Sequence, residues 1–384
     1  MKKQVCMLAA SMMAVALLAG CGQKEEGQPA ATVQAEATTA QPETETKEET
    51  KAEETKAEET SGQEAETEAE KEASAAGEGG FRMGMAVVSS MGSSKDAGEA
   101  DGVAQVDSVA AAVVIDKDGK IVSCKLDTAQ TKMGFTAEGK VVMSQDFQTK
   151  KELGEKYGMK AASGIGKEWY EQAKAMEEYA IGKTAEEIKG IAVDESTKPT
   201  DADLLAGVTI KIGSYKEAIA EAAENATAQG VQEKDKLGLG IITNMDKSKD
   251  AEADADGQCQ AYSTYVAVAT DGEGKITACI IDSTQGTVKF DAEGKITSDL
   301  TGGVKTKRQL GDDYGMKGAS GIGKEWYEQA AAMEDYLVGK TAEEVTGIAV
   351  DESQKPTDAD LAAGVTVSIG GYQTAAVKAV ENAE

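Results

Sequence analysis

Read for hydrophobic and polar positions alone, the chain changes character twice. An apolar run spans Val5 to Leu18, a long polar stretch follows to about residue 80, and periodic apolar patterning occupies the rest. Within the patterned part, Met85 to Val88, Val109 to Ile115, Ile121 to Leu126 and Lys140 to Met143 are runs rich in β-branched residues and separated by glycine turns, which predict strands. Asp116-Lys-Asp-Gly119 supplies a hairpin turn, because Asp-Gly accepts the positive φ such turns require. Trp169, Ala173, Met176 and Ala180 then fall at spacings of four, three and four, one face of a helix that Gly182 stops. Thr184-Ala-Glu-Glu187 and Ser214-Tyr-Lys-Glu217 each read as a capping box, the second opening a helix that ends near Ala226. Strands first and helices after them predict an α+β fold.

The same pattern occurs twice. Ala162-Ser-Gly-Ile-Gly-Lys-Glu-Trp-Tyr-Glu-Gln-Ala173 recurs unchanged at 319–330, a shift of 157 residues. Val193-Asp-Glu-Ser196 and Gly207-Val-Thr209 recur at the same shift, and Asp118-Gly-Lys-Ile121 matches Glu273-Gly-Lys-Ile276 at a shift of 155. A unit of this length is a globular domain rather than a solenoid repeat. The expectation is two tandem copies of a small antiparallel-sheet-plus-helices domain, at 81–226 and 236–384, joined by a polar linker at 227–235.

Composition gives the two leading segments different fates. Lys2 and Lys3 precede the apolar run, which is too short to span a bilayer, and Leu18-Ala19-Gly20-Cys21 ends it. Residues 1–20 read as an export signal. The Leu-Ala-Gly-Cys ending resembles the bacterial lipobox, which implies cleavage before Cys21, acylation of Cys21 and anchoring to a lipid bilayer on the extracytoplasmic side, at a cell surface or in a periplasm. Residues 21–80 are dominated by Glu, Ala and Thr, with Lys51-Ala-Glu-Glu-Thr55 repeated directly at 56–60. They hold too little apolar area to offset ordering entropy, so a disordered acidic spacer is expected, reaching at most about 200 Å when extended. A partly helical Glu/Ala/Lys rod is the competing reading.

Charge and residue content narrow the chemistry. The formal net charge of -28 argues against a nucleic-acid partner, which draws on a basic surplus. The absence of histidine excludes Ser-His-Asp and Cys-His catalysis and every His-ligated metal site. Neither copy pairs a nucleophile with a base at recognisable spacing, so a hydrolase or transferase has no support. Glu252-Ala-Asp-Ala-Asp-Gly257 is like a calcium loop only in part, lacking the later bidentate glutamate, and no metal site is expected. Cys124 and Cys279 hold equivalent strand positions and read as small core residues. Cys259 has no counterpart and is open to pairing with Cys279.

The order of these features resembles a known family: a strand pair with Asp-Gly-Lys-Ile, a Gly-x-Gly loop opening a helix, Gly-Lys after that helix, and Gly-x-Thr before a terminal helix. It is similar to the FMN-binding domain of exported flavoproteins, found in sodium-pumping and Rnf redox complexes and in flavinylated surface lipoproteins. In that family a threonine of a Ser-Gly-Ala-Thr motif carries FMN through a phosphoester bond made by a flavin transferase. The matching segments are Ala206-Gly-Val-Thr209 and Ala363-Gly-Val-Thr366, in which Gly207, Gly364, Thr209 and Thr366 agree and the leading serine and inner alanine do not. The family's hydroxyl two residues on is present as Ser368 in the second copy and replaced by Lys211 in the first. The family's flavin-facing loop, Glu-Thr-Pro-Gly-x-Gly, is matched by Ser163, Gly164 and Gly166 and by Ser320, Gly321 and Gly323, without the acid and the proline. Lys183 and Lys340 match its Gly-Lys.

The resemblance implies FMN, covalent at Thr209 and Thr366, and electron relay to or from a membrane redox partner. A flavin-free surface binding lipoprotein of the same fold is the alternative. Read from the residues alone, the glycine turns let backbone N–H groups approach a ring or phosphate, or simply make a tight turn and helix cap. Val208-Thr-Ile-Lys-Ile212 alternates, so Thr209 also reads as the exposed face of a strand. Trp169 and Trp326 are expected in the core.

Overall fold

A computed structural model of the chain describes residues 80–144, 147–227 and 230–384. The export signal, Cys21 and nearly all of the acidic spacer lie outside the described residues. No helix among the described residues is long and apolar enough to cross a membrane.

Long antiparallel strands build two sheets. The first is a meander of β1 (Arg82–Ser90), β2 (Gly102–Ile115), β3 (Ile121–Phe135) and the two-residue β4 (Val141–Val142). The helices α1 (Lys150–Leu153), α2 (Trp169–Ala180), α3 (Ala185–Lys189), α4 (Ala202–Leu205) and α5 (Gly213–Glu224) follow it. A second meander, β5 (Lys236–Asn244), β6 (Gly257–Thr270) and β7 (Ile276–Phe290), is followed by α6 (Lys307–Leu310), α7 (Trp326–Leu337), α8 (Ala342–Thr346), α9 (Ala359–Ala362) and α10 (Gly370–Glu381). The molecule is therefore α+β, with one four-stranded and one three-stranded antiparallel sheet among the described residues.

Local chemistry sets most of the turns and caps. At the β2–β3 hairpin the Asp116 carboxylate accepts from the Asp118 and Lys120 N–H groups, and Gly119 takes φ 74°. Thr184 and Glu187 form the expected reciprocal cap of α3. The box expected at Ser214 is absent. α5 starts two residues earlier with Ile212 as its cap, because the Ile212 N–H is held by the Thr197 carbonyl while Ile212 and Tyr215 are drawn into the core.

Each sheet is covered on both faces. One face of the first sheet packs on α2 and α5, with Trp169, Met176, Leu126 and Ile219 at the centre; α7 and α10 cover the second sheet in the same way around Trp326 and Met333. The opposite faces meet each other. Met83, Met85 and Val114 from the first half share a core with Leu237, Leu239 and Tyr265 from the second. Farther along, Phe135 stacks on Phe290 with ring centroids 4.3 Å apart and planes at 7°. Val231, on the connection expected to be a polar linker, is buried in this shared core. The rim contacts are reciprocal. The Ala251 N–H donates to the Gly139 carbonyl at 2.8 Å, and the Ala97 N–H donates to the Gly294 carbonyl at 2.9 Å. Asp250 likewise accepts from the Val141 N–H, and Asp96 from the Ile296 N–H, both at 2.8 Å.

Buried ionic clamps tie α1 and α2 to β3. The Glu177 carboxylate accepts from the Leu126 N–H at 2.7 Å and from the Lys151 ammonium at 2.8 Å. Asp127 accepts from the N–H groups of Thr128 and Lys151, yet burial outweighs these bonds and that of Thr149 and pushes its carboxyl up to about 6. Glu334, Arg308 and Asp282 repeat the arrangement in the second half. There burial raises Asp282 and takes Glu334 up to about 7 against the neighbouring guanidinium.

The cysteines Cys124, Cys259 and Cys279 are all free and buried, and no Cys259–Cys279 bridge forms. Cys259 pairs across the sheet with Val288 and Cys279 with Val268, so nine positions of β6 separate them, about 30 Å of strand.

Candidate functional site

The glycine-rich turn leading into α2 is held by its own polar side chains. The Glu168 carboxylate accepts from the Met159 and Lys160 N–H groups at 2.9 Å each, closing residues 159–168 into a loop. Within it the Gly166 N–H donates to the Ser163 carbonyl at 3.1 Å, and Gly166 takes φ 64°, the left-handed region that favours glycine. Gly164 differs. Its φ is not positive, and a Cβ built there meets nothing within 4 Å. Neither sterics nor backbone conformation calls for a glycine at that position.

Gln172, in the first turn of α2 and fully buried, joins this loop to the segment that carries Thr209. Its Nε2 donates to the Ser163 hydroxyl at 3.1 Å, while its Oε1 accepts from the Thr209 N–H at 2.8 Å and from the Thr209 hydroxyl at 3.3 Å. Residues 206–212 form an irregular connection between α4 and α5, so Thr209 is not on a strand face. The alternation comes instead from Val208 and Ile212 plugging the core while Thr209 stays half-buried. Gly207 has a packing reason to be glycine: a Cβ there stands 2.9 Å from that of Ala175 on α2.

The second half reproduces the arrangement. Gln329 Nε2 donates to the Ser320 hydroxyl at 3.1 Å, and Oε1 accepts from the Thr366 N–H at 2.8 Å and the Thr366 hydroxyl at 3.2 Å. Gly323 takes φ 64°, Gly321 faces open space, and Gly364 lies against Ala332. Ser163, Gly164, Gly166, Gly207 and Thr209 thus come together, as do Ser320, Gly321, Gly323, Gly364 and Thr366. Lys183 and Lys340 do not join them. They follow the far end of α2 and α7, each helix about 18 Å long. Their backbones pair with the first residues of β3 and β7, and their ammonium groups lie 3.7 Å and 3.9 Å from the ring centroids of Tyr179 and Tyr336.

Two groups had no role in the sequence reading. The glutamines lie inside the longest unchanged repeat, and that identity was the available signal. Beside each tryptophan stands a lysine in an aromatic setting. Lys150 lies 5.5 Å from the Trp169 ring, and the buried Lys307 lies within 5.1 Å of the Tyr262, Tyr314 and Trp326 rings. Burial lowers Lys307 to about 8, with Asp282 opposing, and its ammonium donates to the Tyr262 hydroxyl at 2.8 Å. Asp107 takes the place of Tyr262 in the first half and leaves Lys150 more open. Both tryptophans are core residues, each donating its Nε1–H to a buried tyrosine hydroxyl, Tyr215 or Tyr372.

Among the described residues, no group of three or more Asp, Glu, Cys or His is placed to hold a metal ion, and this includes Glu252–Gly257. The arrangement around Gln172 and Gln329 offers an open glycine turn, a half-buried hydroxyl and a rigid polar link between them.

No family model and no solved structure matches the chain. A stretch of 103 residues, 27% of this chain, is 35% identical to the chlorophenol reductase of Desulfitobacterium hafniense. The match covers 29% of that protein, so the chain spans under a third of its relative's length.

Proposed function

We propose that the protein is an exported lipoprotein, anchored through Cys21, whose two halves are tandem FMN-binding-like domains that relay electrons outside the cytoplasm. A flavin transferase would load it, and a membrane redox protein would exchange electrons with it. The observation that carries this reading is the buried glutamine of each half. It hangs the glycine turn and the threonine segment, far apart in sequence, on one side chain.

The residues present fit the group. Thr209 and Thr366 keep their hydroxyls half-buried rather than enclosed, and the Lys167 ammonium lies 4.0 Å from where a Gly207 side chain would begin, a favourable setting for a phosphate. Open space at Gly164 and Gly166 lets backbone meet a flat ring without Cβ interference. When bound, FMN supplies one- and two-electron transfer, and this is cofactor chemistry. The chain's share is positional. Gln172 fixes the Thr209 backbone, Ser163 orients Gln172, and Glu168 fixes the turn. Similarity to a protein named a reductase is in keeping with redox work and assigns no substrate.

A flavin-free binding lipoprotein is favoured by one observation: Gln172 already satisfies the Thr209 N–H and hydroxyl, so the link is complete without a ligand. The two readings separate on intact mass and in-gel flavin fluorescence after denaturation, for the full chain co-expressed with a flavin transferase in an export-competent host. Covalent loading predicts a flavin adduct that falls by one equivalent in Thr209→Ala and again in Thr366→Ala. A colourless protein without adduct overturns the carrier and leaves the binding lipoprotein.

A further inference from the structure

We propose that the cleft between β3, α1 and α2 of the first half and β5 and α10 of the second binds a small organic monoanion with an apolar body, such as an aromatic carboxylate. Its volume is about 370 Å³, within the range of small-molecule sites. Leu126, Leu239 and Ile241 give it an apolar floor, with Tyr170 at the side. Lysines ring that floor. Lys151 is committed to Glu177 and belongs to the structural clamp. Lys125 has a side chain only 11% exposed, and it is paired with Glu384, which is 70% exposed. Lys378 pairs with Glu152 at 2.5 Å, and Lys174 makes no direct ion pair among the described residues, though its charge acts on Glu384.

The matching cleft of the second half, about 330 Å³, shows which of these groups the fold requires. It keeps the clamp, with Asp282, Thr306, Arg308 and Glu334 in the places of Asp127, Thr149, Lys151 and Glu177. The other three lysines are not kept. Ile280, Ala331 and Glu221 hold at the second cleft the positions that Lys125, Lys174 and Lys378 hold at the first, with Lys378 on α10 of the second half and Glu221 on α5 of the first. Since the second cleft forms between the equivalent elements and keeps the clamp without them, the fold does not require the three cations gathered in the first cleft of a chain of net charge -28.

The chemistry of the walls selects the ligand. Lys174 offers an ammonium without a direct ion pair, and a ligand carboxylate can replace Glu384 on Lys125, because the exposed Glu384 returns to water while the buried ammonium keeps an anionic partner. An apolar floor favours a hydrocarbon body over inorganic phosphate. Glu152 and Glu384 at the rim repel a second negative charge, which disfavours dianions. The site shares no residue with the Ser163–Gln172–Thr209 group and stands independently of the flavin reading.

Isothermal titration of the full chain with benzoate, phenylacetate and 3-methylbutanoate tests this, with benzamide and inorganic phosphate as comparators. One saturable site is expected for at least one carboxylate, weakened about tenfold or more by Lys174→Ala at this exposed position. Binding should vanish in Lys125→Ile/Lys174→Ala/Lys378→Glu, which installs the residues found at the equivalent positions of the second cleft, and persist in Thr209→Ala/Thr366→Ala. The proposal is overturned by no saturable carboxylate uptake below about 10 mM. Equal binding of benzamide, or an affinity unchanged by Lys174→Ala, overturns it as well.

Discussion

Replacing Phe135 by alanine tests whether the shared core makes the two halves fold as one. Phe135 is fully buried and stacks on Phe290 across the halves. Truncating a buried phenylalanine costs about 3–5 kcal/mol, and loss of a stacked aromatic pair adds about 0.5–1.5 kcal/mol. A total of about 5 kcal/mol, at a urea m-value of about 3 kcal/mol per molar, moves the unfolding midpoint down by about 1.7 M. The chain has two tryptophans, Trp169 in the first half's own core and Trp326 in the second's, so each half carries its own fluorescent reporter. Urea unfolding is followed in Trp169→Phe and Trp326→Phe backgrounds, each with and without Phe135→Ala. If the shared core couples the halves, the substitution lowers the midpoint of both reporters by the same amount. A shift of the Trp169 reporter with the Trp326 reporter unmoved refutes the coupling, because it shows a second half that does not sense loss of its neighbour's ring.

Three further outcomes follow from individual side chains. Burial raises Asp127 from 3.8 to about 6, so folding takes up a proton between roughly pH 4 and 6 and wild-type stability falls as pH rises through that window; Asp127→Asn lacks this slope, and its urea stability relative to wild type should climb by about 2.5 kcal/mol between pH 4 and pH 7.5, whereas a pH-independent difference denies the perturbed carboxyl. A Cβ on Gly84 would lie 1.9 Å from the Ala222 carbonyl oxygen, so Gly84→Ala should destabilise by about 3 kcal/mol, while Gly164→Ala, facing open space, should stay within about 0.5 kcal/mol by thermal denaturation and lower only flavin loading. Gln172→Leu strands the Thr209 and Ile210 N–H groups and cuts the link to the Ser163 hydroxyl, a loss of about 2–4 kcal/mol that Gln172→Glu should partly restore in the same assay.

In the helical half of each repeat the longer helices were legible because their signals are local, while the four-residue α1 and α4 carry too little periodicity to show. The α2 face, the Thr184 cap and the Asp116 hairpin depend on residues within a few positions of one another. The strands were found short. β2 begins at Gly102 and β3 runs to Phe135, but Gln105, Asp107 and Lys132 interrupt the apolar run in the outer portions, where only alternate residues are buried. The inner portion carried an unused signal. Val109 to Ile115 is continuously apolar, as expected of a strand covered on both faces, and the second cover is the other half of the chain. Gln172 escaped for a similar reason. A glutamine on a helix reads as surface until the segments it joins, nine residues before it and thirty-seven after it, are known to meet there.

The shared core also shows how far the halves have adapted to each other. Tyr265 occupies the strand position that Ala110 holds in the first half, since one pairs with Asp282 and the other with Asp127. It is fully buried and reaches Thr284, which stands where the first half has Ala129. Its hydroxyl also draws on Ser89 and Ser108 of the first half. A pair of first halves would face small side chains at this level on both sides and leave a void. A pair of second halves would bring two tyrosines into the space built for one. Void and overpacking each cost on the order of kilocalories per mole, so the ring of one half and the alanines of the other form a matched set. Two halves of matching sequence motifs are asymmetric in this core, and the same asymmetry is visible at the clefts, one of which gathers lysines that the other does without.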